Sequence, residues 1–411
     1  MFARRVALSL AVCFAISLSL QSVSAESNWP RWRGPQQDGH TTETDFPKKW
    51  DKSSVVWKKA LPGEGQSVPI IWGDRIFLTT ALNRGAERVV LCLDRKNGDI
   101  IWKQSVWKGT PEPSHTMNGW ASSSCVTDGD HVWTFFGKGG GLFCFTVDGT
   151  LVWKRNLGEF PGPWGTAASP ILVGELLIQN CDSDGEGYLL AVEKSTGKTV
   201  WTVEREKQRG WSSPIIIDAA GRQELVIQGH TGIRSYDPAN GKEFWRLSGT
   251  KGRGTPTVTP ADGLIYVVPG RGPATYAVRP GGSGDISKTH VAWSAPRRGR
   301  DLPSPIVIGK FVLVMSMRGG ILSCYDSKTG DLHWQERIGG TFTASPIAFE
   351  GIAAFVADEG PALVVEPGKE PQITECGSLK EADEEIFRSS ITPSGGQLFI
   401  RSTKVLYCVG K

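Results

Sequence analysis

Three groups of side chains in this sequence have the types and spacing to do chemistry. The first is "DSDGEG" at 182–187, where Asp182 and Asp184 offer hard oxygen ligands at alternate positions, as Ca²⁺ prefers. The run lacks the Glu that closes an EF-hand loop at its twelfth position, and a hairpin turn built of Asp and Gly accounts for it equally well. The second group is a pair of histidines, His115 in "PSHTMNGW" and His230 in "QGHTG". Either could move a proton near neutral pH, but nothing in the sequence supplies either with a partner. The third is a set of flat aromatic and fork-shaped cationic side chains: Trp120, Trp164 and Trp211 with Arg253, Arg271, Arg300 and Arg318. Such a set suits an anionic or extended ligand, including a peptide. The chain has no nucleophile elbow, P-loop, Rossmann fingerprint or HExxH zinc helix.

The elements that must position these residues announce themselves by repetition. "CLDRKNGDIIW" at 92–102, "AVEKSTGKTVW" at 191–201, "SYDPANGKEFW" at 235–245 and "CYDSKTGDLHW" at 324–334 share one grammar. A small residue is followed two later by Asp or Glu, then Thr/Asn-Gly, then Trp. The acid can bond backbone N–H groups of its own turn, and Gly accepts the left-handed conformation there. Trp57, Trp102, Trp153, Trp201, Trp245, Trp293 and Trp334 recur every 41 to 51 residues, the period of a four-stranded propeller blade. After each comes a Ser- or Thr-rich start: "SVP", "SSS", "ASP", "SSP", "TP", "SP", "SP" and "SSITP", eight in all.

A third strand also appears eight times, and the fourth strand carries the Trp except where Ile373 replaces it in "PQITECG". The chain opens with a fourth strand, "SSVVWKKAL", and closes with a third, "KVLYCVGK". We therefore expect an all-β, eight-bladed β-propeller of four-stranded antiparallel blades over residues 51–411. The N-terminal strand should close the ring inside the last blade and leave no open seam. The seven Trp are expected to dock each blade on its neighbour. The loops entering the innermost strands and those between the second and third strands share one face of a propeller. The candidates Trp120, Trp164, Trp211, Arg253, Arg300, His230, Arg271 and Arg318 all fall on those loops. They are expected either to form a binding mouth or to wall and plug the channel.

The repeat grammar resembles the tryptophan-docking motif of PQQ-type β-propellers. That superfamily includes the quinoprotein dehydrogenases and the propeller lipoprotein of the outer-membrane assembly machinery. "NWPRWRGPQQDG" at 28–39 resembles the N-terminal signature of exported PQQ-like repeat proteins, and the likeness extends over essentially the whole chain after residue 25. Two segments depart from the grammar, "FTVDGTLVW" with a shortened turn and "RPGGSGDISKTHVAW" with a longer one. The resemblance implies two function classes. One is a non-catalytic envelope propeller that binds a protein or ligand partner. The alternative is a PQQ-dependent oxidoreductase with its quinone and Ca²⁺ in the channel. Compact blades, no adjacent Cys pair and no CxxCH haem motif favour the first, with no cofactor expected.

Composition narrows the setting. Residues 1–25 carry Arg4 and Arg5, an apolar run and "VSA", the pattern of a secretory signal peptide cleaved before Glu26. Residues 26–50 would then be an N-terminal extension. Beyond residue 25 the chain holds 44 basic and 42 acidic residues, too even a balance for a nucleic-acid surface. No later stretch is apolar and long enough to span a bilayer. A soluble, exported, monomeric propeller of the periplasm or cell envelope is the expectation.

Overall fold

The structure is a computed structural model and describes residues 27–296 and 302–410. The expected signal peptide and Arg300 lie outside the described residues. Eight sheets follow one another in chain order, each with four antiparallel strands and the fourth with one added edge strand. Blades 1 to 7 occupy residues 70–108, 126–155, 171–204, 215–248, 259–296, 306–337 and 347–378. Blade 8 takes three strands from residues 392–409 and its outermost from Val55–Ala60, which pairs antiparallel with Val405–Val409. The ring is thus closed by the N-terminal strand, as the sequence predicts.

Burial within a blade explains the residue choice strand by strand. The third strand of blade 1, Glu87–Asp94, is buried at six successive positions, because neighbouring blades cover both its faces. A continuous Val/Leu/Cys run suits that environment. The outermost strand, Ile100–Lys108, alternates instead, with one face packed and the other wet.

The Trp repeat has a concrete geometry. The indole N–H of Trp57 donates to the Arg95 carbonyl at 3.1 Å, that of Trp102 to Val147 at 2.9 Å and that of Trp153 to Lys194 at 2.9 Å. Trp201 donates to Pro238 at 3.0 Å, Trp293 to Ser327 at 2.8 Å and Trp334 to Gly368 at 3.0 Å. Every acceptor lies in the turn before the outermost strand of the next blade. The small residue of each phrase is the cross-strand partner of its own Trp: Cys92 faces Trp102, Ala191 faces Trp201 and Cys408 faces Trp57. A larger side chain there would lift the indole off the sheet.

Trp245 departs from this pattern. The next blade replaces the turn with the 279–290 insertion, which adds the short parallel strand Gly284–Asp285 to the edge of blade 4. Fully buried beneath it, Trp245 donates instead to the Glu224 carboxylate at 2.6 Å.

A second girdle runs around the channel. In six successive junctions a backbone N–H of one blade donates to a hydroxyl of the next. Val68 donates to Ser124, Ser124 to Ser169, Ser169 to Ser213, Ser213 to Thr257, Thr257 to Ser304 and Ser304 to Ser345. Distances run from 2.8 to 3.2 Å. Each such bond is worth about 1 kcal/mol net, and it explains why a Ser or Thr recurs at the starts of blades 2 to 7.

The extension that carries "NWPRWRGPQQDG" crosses the closed side of the ring. Trp29 pairs with Ile71 of blade 1, and Thr127 of blade 2 donates to Pro30. Arg31 reaches Leu172 of blade 3, while Gln37 bonds Pro214 and Ile216 of blade 4. Arg33, buried, donates to Thr259 of blade 5 and to the Pro305 carbonyl that leads into blade 6, each at 3.1 Å. Thr41 and Gly39 bond Ala348 of blade 7, and Glu43 accepts from Gly395 of blade 8. All eight blades hold this segment.

Candidate ligand-binding cavity

The channel is a cup. Trp32, in the crossing segment, lines its closed end, and the hydroxyl girdle (Ser124, Ser169, Ser213, Thr257, Ser345) forms its wall. The open end is lined by loops of several blades, and the space enclosed is about 290 Å³. The loops entering blades 3 and 4 bring Trp164 and Trp211 to one side. Arg253, from the loop entering blade 5, lies beside Trp164, and Arg271 and Arg318 come from the inner loops of blades 5 and 6. Arg388, from the loop entering blade 8, completes the cationic set. No Asp or Glu is among the described lining residues.

Local bonds fix these groups. Trp211 donates its indole N–H to the Gly165 carbonyl at 2.8 Å. Trp164 lies under the ring of His115, stacked at 4.4 Å between centroids. The guanidinium carbons of Arg209 and Arg253 sit 5.6 and 5.2 Å from its ring centroid, within the range of a cation–π contact. His115 belongs to the long loop entering blade 2, whose Met117 and Asn118 also line the cup. Asn118 donates to the Trp164 carbonyl at 2.8 Å, and Arg388 donates to the Thr116 carbonyl at 2.7 Å. The loop is therefore stapled to both sides of the mouth. His115 Nδ1 accepts from the Met117 N–H at 3.1 Å, so in the neutral ring the proton is on Nε2.

Arg388 also donates to Asp358 at 2.9 Å, and Thr343 caps the same carboxylate at 2.6 Å. Burial pushes the Asp358 carboxyl upward, and the hydrogen bonds from Thr343 and Arg388 oppose that shift. Arg271 and Arg318 are exposed and pair with no carboxylate among the described residues.

Five of the eight candidates named from the sequence converge on the cup: Trp164, Trp211, Arg253, Arg271 and Arg318. Trp120 does not. It is folded under the loop entering blade 2, donates its N–H to the Glu112 carbonyl at 2.8 Å and packs near Arg88. Arg88 and Glu112 form a buried pair at 2.6 Å, and Trp120 helps to roof it. His230 also lies outside the lining; its carbonyl accepts from the Gly252 N–H at 3.1 Å.

Asp182 and Asp184, the residues that could suit calcium, are each committed to a guanidinium. Asp182 accepts a bidentate pair from buried Arg205 at 2.7 and 3.0 Å, and Asp184 pairs with Arg209 at 2.7 Å. Among the described residues no three His, Cys, Asp or Glu come together to hold a metal. The sequence reading missed Trp32, Met117, Met317 and the hydroxyl girdle as lining. The recurring Ser/Thr before each strand was the signal for the girdle.

Comparisons with known proteins agree with this architecture. A BamB from Moraxella catarrhalis superposes with a TM-score of 0.62 at 16% identity, covering 87% of this chain and 97% of the other. A europium-containing methanol dehydrogenase superposes at 0.70 with 9% identity, covering 94% and 99%. The quinohemoprotein alcohol dehydrogenase of Comamonas testosteroni gives 0.68 at 11% identity, covering 94% and 81%. At such identities these likenesses show the fold alone. The outer membrane protein assembly factor BamB of Shewanella oneidensis is 24% identical over 206 residues, 48% of this chain. The match spans 47% of that protein, so the chain covers about half the length of this curated relative. The family model described as outer membrane protein assembly factor BamB matches residues 48–163 and 185–366, and the chain belongs to that family.

Proposed function

We propose that this protein is a non-catalytic propeller of the cell envelope that binds a protein or ligand partner in the cup on its open face. The observation that carries this reading is the character of the lining. Four Arg and three Trp line a dead-ended cavity with no described carboxylate, in a chain whose overall charge is nearly balanced. Family membership supports it, since the relative matched is named an outer membrane protein assembly factor. The described residues contain no helix long and apolar enough to cross a membrane.

The fold likeness to dehydrogenases raises the second reading, an oxidoreductase with PQQ and Ca²⁺ in the channel. The residues present do not fit that group. A calcium-bound quinone needs oxygen ligands on the metal and a carboxylate base. The lining supplies no described carboxylate, and nearby Asp358 is held by Arg388 and Thr343. The described cysteines are buried, and burial pushes the thiols of Cys92, Cys144, Cys324 and Cys408 up to about 12, so these four stay protonated and inert.

A photo-crosslinker placed at Met117 in the full chain tests the binding reading in cells. A discrete envelope product is expected, and it should disappear when Trp164, Trp211 and Arg253 are all replaced by Ala while the circular dichroism stays unchanged. Undiminished capture by the triple variant would remove this face from consideration. Titration with PQQ should give no calcium-dependent binding; saturable, calcium-dependent binding at micromolar affinity would restore the oxidoreductase reading.

A further inference from the structure

The geometry points to the ligand class: we infer that the cup takes a small polycarboxylate, a di- or tricarboxylic acid anion. Its carboxylates would meet Arg271 and Arg318 and its hydrocarbon body would lie against Trp164 and Trp211. The inference rests on the binding reading above and narrows it.

Three independent features converge. The first is charge. Beyond residue 25 the chain is almost neutral, yet the described lining holds four guanidiniums and no acid. Arg388 is partly answered by Asp358 at 2.9 Å. Arg271 and Arg318, on inner loops of adjacent blades, are exposed and form no ion pair with a described carboxylate, although Arg318 also borders an adjoining space lined by Asp358 and Glu359. A planar guanidinium presents paired N–H donors that match a carboxylate fork.

The second is the polarity of the wall. Ser124, Ser169, Ser213 and Ser345 each use the oxygen to accept a backbone N–H from the preceding blade. None of these hydroxyls donates to another described group, so each proton is available to a bound ligand. A wall of donors beneath a cationic rim selects a ligand rich in acceptors.

The third is size. Trp32 closes the inner end, so an extended chain cannot thread the ring. The space is about 290 Å³. That is at the lower edge of small-molecule sites and suits a compact acid.

The experiment is a calorimetric titration of the full chain with succinate, tricarballylate and citrate at low ionic strength. Arms with triethyl citrate and with an acidic hexapeptide run beside it. The acids should bind saturably and the neutral ester should not. Arg271→Gln and Arg318→Gln should each weaken binding by roughly tenfold, the ordinary worth of one hydrogen bond to a charged group. Both arginines are exposed, so folding is not at stake; Lys96→Gln, in a turn on the closed side, should change nothing. The inference is overturned if no acid binds, if the ester binds equally well, if the double Arg variant binds as the parent does, or if the peptide binds in place of the small acids. Crosslinking at Met117 that persists while the acids fail would leave the binding reading standing and remove only this ligand class.

Discussion

Gly149 and Gly309 both sit in turns with positive φ, but their surroundings differ, and the difference isolates what the repeat is for. Gly149 has φ +90°, and a Cβ there would lie 2.8 Å from the Trp102 indole of the preceding blade. Gly98, Gly197 and Gly330 are cradled in the same way by Trp57, Trp153 and Trp293. Gly309 has φ +55° with nothing within 4 Å. The turn glycine is therefore fixed twice, by its own dihedral and by a neighbour's ring. Gly309→Ala should cost about 1 kcal/mol, the left-handed penalty alone. Gly149→Ala should cost about 3 kcal/mol or more, because it also lifts Trp102 from the Val147 carbonyl. Urea unfolding of the two variants decides the matter, and equal losses would mean that the indole does not depend on the cradle.

The loop entering blade 2 is the element on which the mouth depends. It delivers His115, Met117 and Asn118 to the cup, and its root is the buried Arg88–Glu112 pair under Trp107 and Trp120. Burial pulls the Arg88 guanidinium down and pushes the Glu112 carboxyl up, while their mutual attraction works the other way for each. Removing one partner would strand the other charge in the interior, at a cost of about 3–5 kcal/mol. Glu112→Gln should accordingly lower stability by about that amount. Hydrogen exchange should speed up first at the Met117 and Asn118 amides, ahead of the blade strands. Protection lost evenly across all eight blades would contradict a local anchor. The sequence hints at this loop, because the spacing from Trp102 to Trp153 is the longest in the series at 51 residues. It says nothing of the pair, whose members are 24 residues apart and meet only because a sheet and a loop fold over one another.

At the scale of the whole ring, what could be read in advance was whatever recurs. Trp102, Gly149 and Ser169 each belong to a series with a period near that of a blade, so blade number, closure and the set of loops that share one face were legible. The cup was only half legible, because its lining is drawn once from each of several unrelated loops. Trp32 closes it from a segment with no internal counterpart, and Trp120 leaves it because its loop folds back on Arg88. The crossing segment also distinguishes two functions of the N-terminus. Residues 27–46 close the floor, while Val55–Ala60 latches blade 8. A variant beginning at residue 47 loses buried Trp29, Arg33 and Phe46 but keeps the latch. Each large aromatic contributes at most ~5 kcal/mol gross, so this variant should remain a folded β-protein of the same oligomeric state as the full chain, with a lower melting temperature. A variant beginning at residue 62 also loses the closing strand and exposes the edge of Val405–Val409, an open template for pairing with another chain. It should aggregate or associate, which light scattering and size-exclusion chromatography would register. If both variants keep the full chain's oligomeric state and melt together, the ring is held by its blade-to-blade contacts alone, and the closing strand is not the latch that the chain order implies.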